Sequence, residues 1–334
     1  MIRFLEDREK LNITPLYEET FVEDTPEYKE YFYEEIVPNN QIAVDIEGND
    51  IRGMISLIPK SVMVGKSKEH CYYIYGVATQ SKYRNKGIMK ELMKEVVQSL
   101  HANGELFTYL IPSTETNGDI YEKLGFAYVM NKSCRKKKEL RKKPTHSLVL
   151  RKADTSDYAR LAIFAQSMMS ERFGIYLTKD KEYFKNMFSL MEAEGGKVEL
   201  YFENKIVLGY RIGFEDEIIE EVLDERISEL SYVENNVKPF AMARLLNIRP
   251  VLSKLPTADR GSVVIRVIDD IVEDNNDTFL WRYDKGHQSF EKTKMEPEVV
   301  VTIGELTAHV FGYREYTGLP KMAANNGFFI NDYV

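Results

Sequence analysis

The sequence predicts a mixed α/β fold built from three successive units, and three observations carry this prediction. Strand-like alternation and helix-like periodicity of apolar residues succeed each other along most of the chain. A basic turn containing glycine joins one predicted strand to one amphipathic helix. A pair of hairpin strands then recurs in the middle of the chain, and the composition changes again towards the end. The predicted units cover residues 1–145, 146–235 and 236–334.

Composition sets the class of protein. The 334 residues are 43% hydrophobic and 12% aromatic, which is ample for packed cores. Only Cys71 and Cys134 are cysteines, the N-terminus has no apolar signal core, and no run approaches eighteen apolar residues. We therefore expect a reducing, cytoplasmic compartment and no membrane partner. The five histidines are scattered without metal-ligand spacing, so no metal is expected.

The first unit is predicted from its start to its last strand. Its predicted elements, in order, are helices near 8–21 and 27–37, a hairpin of 42–47 and 51–58, a strand over 70–79, a helix over 85–102, a strand over 106–111, a short helix around 118–123 and a strand from Phe126. This order of elements reads as a complete module.

The turn before the helix at 85–102 is the most informative segment. From Gln80 to Lys90 the chain has no acidic residue and carries Lys82, Arg84 and Lys86 as well as Lys90. Unpaired N–H groups and the positive dipole end of a helix N-terminus bind anions, here with no competing carboxylate in the turn. The turn therefore predicts a phosphate site. Neither the Walker glycine pattern nor the dinucleotide glycine pattern occurs.

The second unit resembles the first half of the first unit without this turn. Its predicted elements are a strand over 148–151, helices over 156–172 and 179–194, and a hairpin of 198–202 and 206–214. One phosphate site per chain is therefore expected. The third unit opens with Met242-Ala-Arg-Leu and is predicted to hold strands over 262–269, 278–283 and 299–303 and a helix over 304–311.

These motifs resemble those of a known superfamily. Arg84-x-x-Gly87-x-Met89, followed some thirty residues later by Tyr121-Glu-Lys-Leu-Gly-Phe126, resembles the GNAT acyl-CoA-dependent N-acyltransferases, although Met89 stands where that pattern has a small residue. With the degenerate middle unit and the Met-x-Arg-Leu opening of the third, the whole chain is similar to the enhanced-intracellular-survival (Eis) acetyltransferases. That resemblance implies a GNAT domain, a degenerate GNAT-like domain and a sterol-carrier-protein-like C-terminal domain.

The resemblance also implies the co-substrate and its site. Acetyl-CoA would lie along a strand that splays from its neighbour, with main-chain N–H groups near Val77 and Ala78 binding the thioester oxygen. Tyr121 matches the position of the general acid that protonates the leaving thiolate. The predicted coenzyme-binding residues are Val77, Ala78, Thr79, Arg84, Asn85, Lys86, Gly87, Ile88, Met89 and Asn117.

The acceptor side is predicted from charge. Eight carboxylates between Glu18 and Glu35, among them Glu23 and Asp24, favour a cationic amine if part of that face borders the pocket. The Eis resemblance implies that the C-terminal segment docks in the active site. There the carboxylate of Val334 would act as base, with Asp332 nearby to attract the cation.

Three functions stay open at this point. The first is an acetyl-CoA-dependent N-acetyltransferase acting on a small cationic amine; the second acts on protein lysines or N-termini; the third is a non-catalytic protein that binds acyl-CoA or an apolar ligand. The basic run over 132–143 lacks interleaved aromatic residues, so we interpret it as a strand end and connector and expect no nucleic-acid partner. Assembly into a homo-oligomer is left open.

Overall fold

The computed structural model of the chain describes residues 1–136, 148–215, 217–230, 235–323 and 327–330. The first unit contains, in order, β1 (Ile2–Phe4), α1 (Thr14–Thr20), α2 (Pro26–Tyr31), β2 (Gln41–Glu47), β3 (Asp50–Val64), β4 (Ser67–Thr79), α3 (Ile88–Ala102), β5 (Phe107–Leu110), α4 (Glu115–Glu122) and β6 (Ala127–Lys136). A 3-10 turn precedes α1, and a π turn and a 3-10 turn extend α2 to Asn39. These bounds follow the predicted elements closely.

The second and third units complete the chain. The second contains β7 (Val149–Lys152), α5 (Tyr158–Arg172), β8 (Ile175–Leu177), α6 (Lys181–Ala193), β9 (Lys197–Glu203), β10 (Ile206–Gly213) and β11 (Glu217–Leu223). The remainder contains β12 (Asn235–Leu245), α7 (Ile248–Leu252), β13 (Arg260–Ile268), β14 (Thr278–Asp284), β15 (His287–Lys292), β16 (Val299–Thr302), α8 (Ile303–Val310) and β17 (Phe328–Phe329). Strands β8, β11, β12, β15 and β17 were not predicted.

One large sheet runs through the first two units. Among the described strands its order is β1-β2-β3-β4-β5-β12-β6-β11-β10-β9-β7. Neighbouring strands are antiparallel except β4 and β5, which are parallel. The middle unit therefore repeats the strand order of the first, because β7, β9, β10 and β11 follow one another as β1, β2, β3 and β4 do.

The expectation of a complete first module ending at the strand from Phe126 is wrong in one respect. Strand β12 lies between β5 and β6 and is antiparallel to both, with Met242 opposite Leu110 and Ala243 opposite Ala127. The sheet of the first unit is thus completed by a strand that follows the whole middle unit. Sequence periodicity did not indicate this, because strand order depends on contacts between residues far apart in the chain.

The third unit has a separate sheet, ordered β15-β14-β13-β16. Its interior is filled by aromatic side chains: Phe279 stacks on Phe290, and the fully buried Trp281 contacts the edge of Phe290. Helix α8 packs on β12 and β6 of the large sheet, so the third unit rests directly on the first.

Two apolar layers cover the faces of the large sheet. On one face α3 presents Leu92, Met93, Val96, Val97 and Leu100, all fully buried as their helical spacing predicts. The opposite face is covered by α1, α2 and the middle unit. No described helix is long and apolar enough to cross a membrane.

Candidate active site

The open edge of β4 is the centre of the candidate site. Strand β4 pairs with β5 only from Tyr72 to Ile74, whereas its pairing with β3 continues to Thr79. The register with β3 shifts between Tyr75 and Ala78, where Gly76 has a positive φ of 58°. Such a bulge bends a strand away from its neighbour. In the described structure, the β5-facing edge of β4 therefore has no strand partner along Val77, Ala78 and Thr79.

The basic turn lies at the end of this open edge. After a 3-10 turn over Ser81–Tyr83, Asn85 and Gly87 both have a positive φ, of 61° and 80°, and Gly87 is the residue before α3. Left-handed residues before a helix create a concave array of N–H groups. In the described part of the chain, no acceptor takes the N–H groups of residues 85 to 90. The turn therefore offers several unpaired donors to an anion.

Side chains around the turn fix it to the sheet. The Arg84 Nε donates to the Thr79 carbonyl at 3.2 Å, and the Lys86 Nζ lies 5.1 Å from the centre of the Tyr83 ring. Ile88 packs on the backbone of Gly53, because a Cβ added to Gly53 would lie 2.9 Å from the Ile88 Cγ2. Met89, which departs from the family pattern, packs with the apolar layer beneath α3.

The expectation that no carboxylate competes at this turn is wrong. The Glu19 Oε1 accepts a hydrogen bond from the Ser81 N–H at 2.8 Å, which lowers the pKa of Glu19 below its usual value. Asp50 pairs with the Lys82 ammonium at 2.7 Å. Both carboxylates come from distant segments, so the composition of the turn itself did not reveal them. Part of its positive charge is thereby neutralised.

Tyr121 lies on the α3 face of the sheet. It packs with the apolar layer that also contains Val77 and Met89, and its ring meets Phe126 edge-on at 6.0 Å. Burial raises the pKa of its phenol to about 12. The phenol thus stays protonated near neutral pH, as a proton donor must. Asn117, one turn earlier in α4, donates from Nδ2 to the Ser113 hydroxyl at 2.7 Å.

The opposite face carries a cluster that the sequence did not predict, which we call the tyrosine cluster: Tyr17, Tyr28, Tyr75 and Asp24. The Tyr17 hydroxyl donates to the Asp24 Oδ2 at 2.5 Å, and the hydroxyls of Tyr28 and Tyr75 share a hydrogen bond of 2.7 Å. Burial is the largest cause that raises the pKa of all three phenols, that of Tyr75 to about 12. The half-buried Asp24 therefore lies beside phenols that stay neutral near pH 7.

The remaining predicted residues fall in three places. Glu23 is exposed and precedes Asp24 in the chain. Asp332 and Val334 lie outside the described residues. The preceding segment is packed, since β17 pairs with β8 and Ile330 is fully buried, whereas docking of the chain end in the active site stays a prediction. Among the described residues, no cluster of His, Cys, Asp and Glu has the arrangement of a metal site.

Comparison with known protein families identifies two of the units. Residues 1–129 match the family described as the acetyltransferase (GNAT) domain, and residues 243–324 match the sterol carrier protein domain. Residues 1–129 therefore form a GNAT acetyltransferase domain, and residues 243–324 form a sterol carrier protein domain. No curated protein matches the chain.

Solved structures extend this likeness over the whole chain. A conserved protein from Enterococcus faecalis V583 is 15% identical, with a TM-score of 0.77 over 94% of this chain and 90% of that one. A GCN5-related N-acetyltransferase from Anabaena variabilis is 14% identical, with a TM-score of 0.75 over 93% of this chain and 90% of that one. Eis1 from Mycobacterium abscessus is 13% identical, with a TM-score of 0.69 over 92% of this chain and 88% of that one. At such identities the likeness concerns the fold, and it confirms the architecture that the sequence predicted.

Proposed function

We propose that the chain transfers an acetyl group from acetyl-CoA to the primary amine of a small cationic acceptor. The observation that carries this proposal is the open edge of β4. The basic turn lies at its end, Tyr121 lies on one face of the sheet, and the tyrosine cluster lies on the other face. A thioester bound along this edge would therefore lie near a phosphate site, a proton donor and a pocket for the acceptor.

The coenzyme is assigned to the turn and the strand edge. Its pyrophosphate binds the N–H groups of residues 85 to 90, close to Arg84 and Lys86. Its pantetheine arm follows Thr79 towards Val77 and Ala78, whose main-chain N–H groups polarise the thioester carbonyl. Asn117 faces the arm from α4. These donors are arranged before the coenzyme arrives, so they need little reorganisation.

The acceptor is assigned to the tyrosine cluster. An alkylammonium group has a pKa of ~10.4 and must lose a proton before its nitrogen attacks the thioester carbon. Asp24 pairs with the ammonium form, and the phenol rings offer faces that attract cations. The ammonium first releases one proton to solvent. Attack of the neutral amine forms the C–N bond and breaks the C–S bond, Tyr121 gives its proton to the departing thiolate, and the second proton lost by the nitrogen restores the Tyr121 phenol. Glu23 adds negative charge at the entrance; the roles of Asp332 and Val334 stay predictions.

The test is free-thiol release from acetyl-CoA across polyamines, aminoglycosides, arylamines and lysine peptides, with the wild type and Asp24→Asn. We expect cationic small amines to be the best acceptors. Asp24→Asn should lower kcat/KM for them by about 10- to 100-fold, since one charge-assisted contact is lost. Its effect on neutral arylamines should be below threefold.

The control is Asp50→Asn, which removes the carboxylate paired with Lys82 at the basic turn and should change kcat/KM equally for all acceptors. Preference for lysine peptides over every small amine would favour the protein-acetylating alternative. Absence of turnover with all acceptors, together with intact acetyl-CoA binding, would favour the non-catalytic alternative.

A further inference from the structure

The third unit touches the first at the turn that follows α4. Gly125 in this turn has a φ of 82°, and a Cβ added there would lie 2.7 Å from the Ile303 Cγ2 and 3.0 Å from the Arg244 Nε. Ile303 is the first residue of α8, and a Cβ added at the next residue, Gly304, would lie 3.2 Å from the Phe126 carbonyl oxygen. The turn is thus held between α8 and Arg244, with no room for a side chain.

Arg244 is the arginine of the Met-x-Arg-Leu motif, and it is fully buried. Its Nε donates to the Leu124 carbonyl at 2.9 Å, its Nη1 to the Leu245 carbonyl at 2.9 Å, and its Nη2 to the Asp269 Oδ1 at 2.5 Å. The guanidinium therefore joins the third unit to the backbone three residues beyond Tyr121.

Asp269 is in turn held rigidly. Its Oδ1 also accepts from the N–H groups of Ile271 and Val272, both at 3.0 Å, and its Oδ2 accepts from the Asn275 amide at 3.1 Å. A carboxylate with this many donors has one available position, so it fixes the Arg244 fork as well. No function of the site described above uses this buried pair.

The Leu124–Gly125 turn determines how α4 ends. The Tyr121 carbonyl accepts from the N–H groups of Leu124 at 2.9 Å and Phe126 at 3.1 Å, so Tyr121 itself belongs to the hydrogen-bonded turn. Helix α4 has only eight residues, and its phenol lies among apolar neighbours. A short helix held at its last turn transmits any displacement of that turn to the side chain it carries.

We propose that the sterol-carrier-like unit positions Tyr121, with Arg244 and Ile303 clamping the Leu124–Gly125 turn. Arg244 is a positioning residue: it touches neither coenzyme nor acceptor and acts only through the turn. This role rests on the proposed function of Tyr121 as general acid. It gives the third unit a part in catalysis that requires no bound lipid.

The test compares Gly125→Ala with Gly104→Ala. Both glycines have a φ of 82°, but an added Cβ at Gly104 meets nothing within 4 Å, so this control carries the backbone strain without the clash. We expect Gly125→Ala to lower kcat by about 10- to 100-fold, as small misplacements of catalytic groups do. The Kd for acetyl-CoA should stay within about twofold, and Gly104→Ala should change neither quantity by more than about twofold.

Each substitution is then repeated in the Tyr121→Phe background, where transfer is followed with radiolabelled acetyl-CoA. If Arg244 and Ile303 act through the phenol, Gly125→Ala should lose its effect there, to less than about twofold. A Gly125→Ala effect of the same size in both backgrounds would overturn the positioning role while leaving the acid role intact. A Tyr121→Phe enzyme with wild-type kcat would overturn both.

Arg244→Lys provides a second variant in case Gly125→Ala does not fold. A lysine ammonium cannot span the acceptors that the guanidinium fork reaches, so the same loss of kcat at constant Kd is expected. That loss should also vanish in the Tyr121→Phe background. Failure of both variants to bind acetyl-CoA would make the clamp a requirement for folding and would contradict a specific role for it in catalysis.

Discussion

The first and middle units share a strand order but differ in the turn that follows their fourth strand. After β4 the chain makes a basic turn with two left-handed residues and enters α3, a helix of 15 residues. After β11 it enters an acidic turn, Asp224-Glu225, that leads only into a 3-10 turn over Glu225–Leu230. Among the described residues, the turn with the form of the proposed phosphate site follows only β4, and the difference between the two units lies in a few residues.

Hydrogen bonding explains why the second turn is unsuited to phosphate. The Asp224 carboxylate accepts from the Arg226 N–H at 2.9 Å and from its guanidinium at 2.7 Å. These bonds, the guanidinium bond foremost, lower the pKa of Asp224 to about 2. The donors that a phosphate would need there are already used by a negative group.

An open strand edge alone does not distinguish the two units. Among the described residues, strand β11 pairs with β6 at Glu217 and Ile218 alone, and β4 pairs with β5 from Tyr72 to Ile74 alone, so both strands continue past this pairing. The open part of β11 borders a cavity of about 450 Å³ that Phe329 of β17 also lines. A splayed strand is thus common to both units, and our assignment of the coenzyme rests on the turn after β4.

The largest expected effect is on kcat, and it should appear in the first unit and not in the middle unit. Tyr121→Phe removes the proton donor while keeping the ring packed on Phe126, so kcat should fall by about 10²- to 10⁴-fold with acetyl-CoA affinity unchanged. Tyr201→Phe, in the middle unit, is the control and should leave kcat within about twofold. Steady-state kinetics and calorimetry measure the two quantities. A fall of less than threefold for Tyr121→Phe would make this residue structural.

The next effect concerns binding. Gly87→Glu brings a carboxylate and side-chain bulk to the turn and should weaken acetyl-CoA binding by about 100-fold or more. Gly195→Glu is its counterpart at the end of α6, since Gly195 also has a positive φ and open space around it. Its Kd should match the wild type. Equal affinities for the two variants would contradict the assignment of the turn.

A smaller effect on acetyl-CoA affinity is expected from the carboxylate of Glu19 at the turn after β4. Glu19→Gln removes the negative charge that accepts from Ser81, so acetyl-CoA should bind about two- to fivefold more tightly at low ionic strength. The gain should shrink as salt is added, because Glu19 is near the surface. Titrations at two salt concentrations measure it. Weaker binding in this variant would mean that Glu19 chiefly shapes the turn.

The sequence predicted what lies within continuous segments. The turn from Lys82 to Met89 and the place of Tyr121 before Gly125 are local patterns, and helical spacing identified the buried face of α3. The middle repeat was visible because two hairpins recur with similar lengths. These features depend on short-range geometry, which the order of residue types expresses directly.

The rest depends on contacts between distant residues. Asp24 was predicted from charge alone; its phenol partners Tyr17, Tyr28 and Tyr75 come from α1, α2 and β4. Glu19 at Ser81 and β12 between β5 and β6 could not be read from any single segment. The sequence signal for this cluster was the presence of tyrosines close to the acidic residues around Asp24. This signal was not specific, because the chain has 21 tyrosines.

The stoichiometry of acetyl-CoA binding tests most directly the claim that only the turn after β4 binds the coenzyme. Isothermal titration of the wild type should give one site per chain, and Gly87→Glu should give no measurable heat of binding under the same conditions. Two sites per chain, or one site that survives in Gly87→Glu, would contradict it.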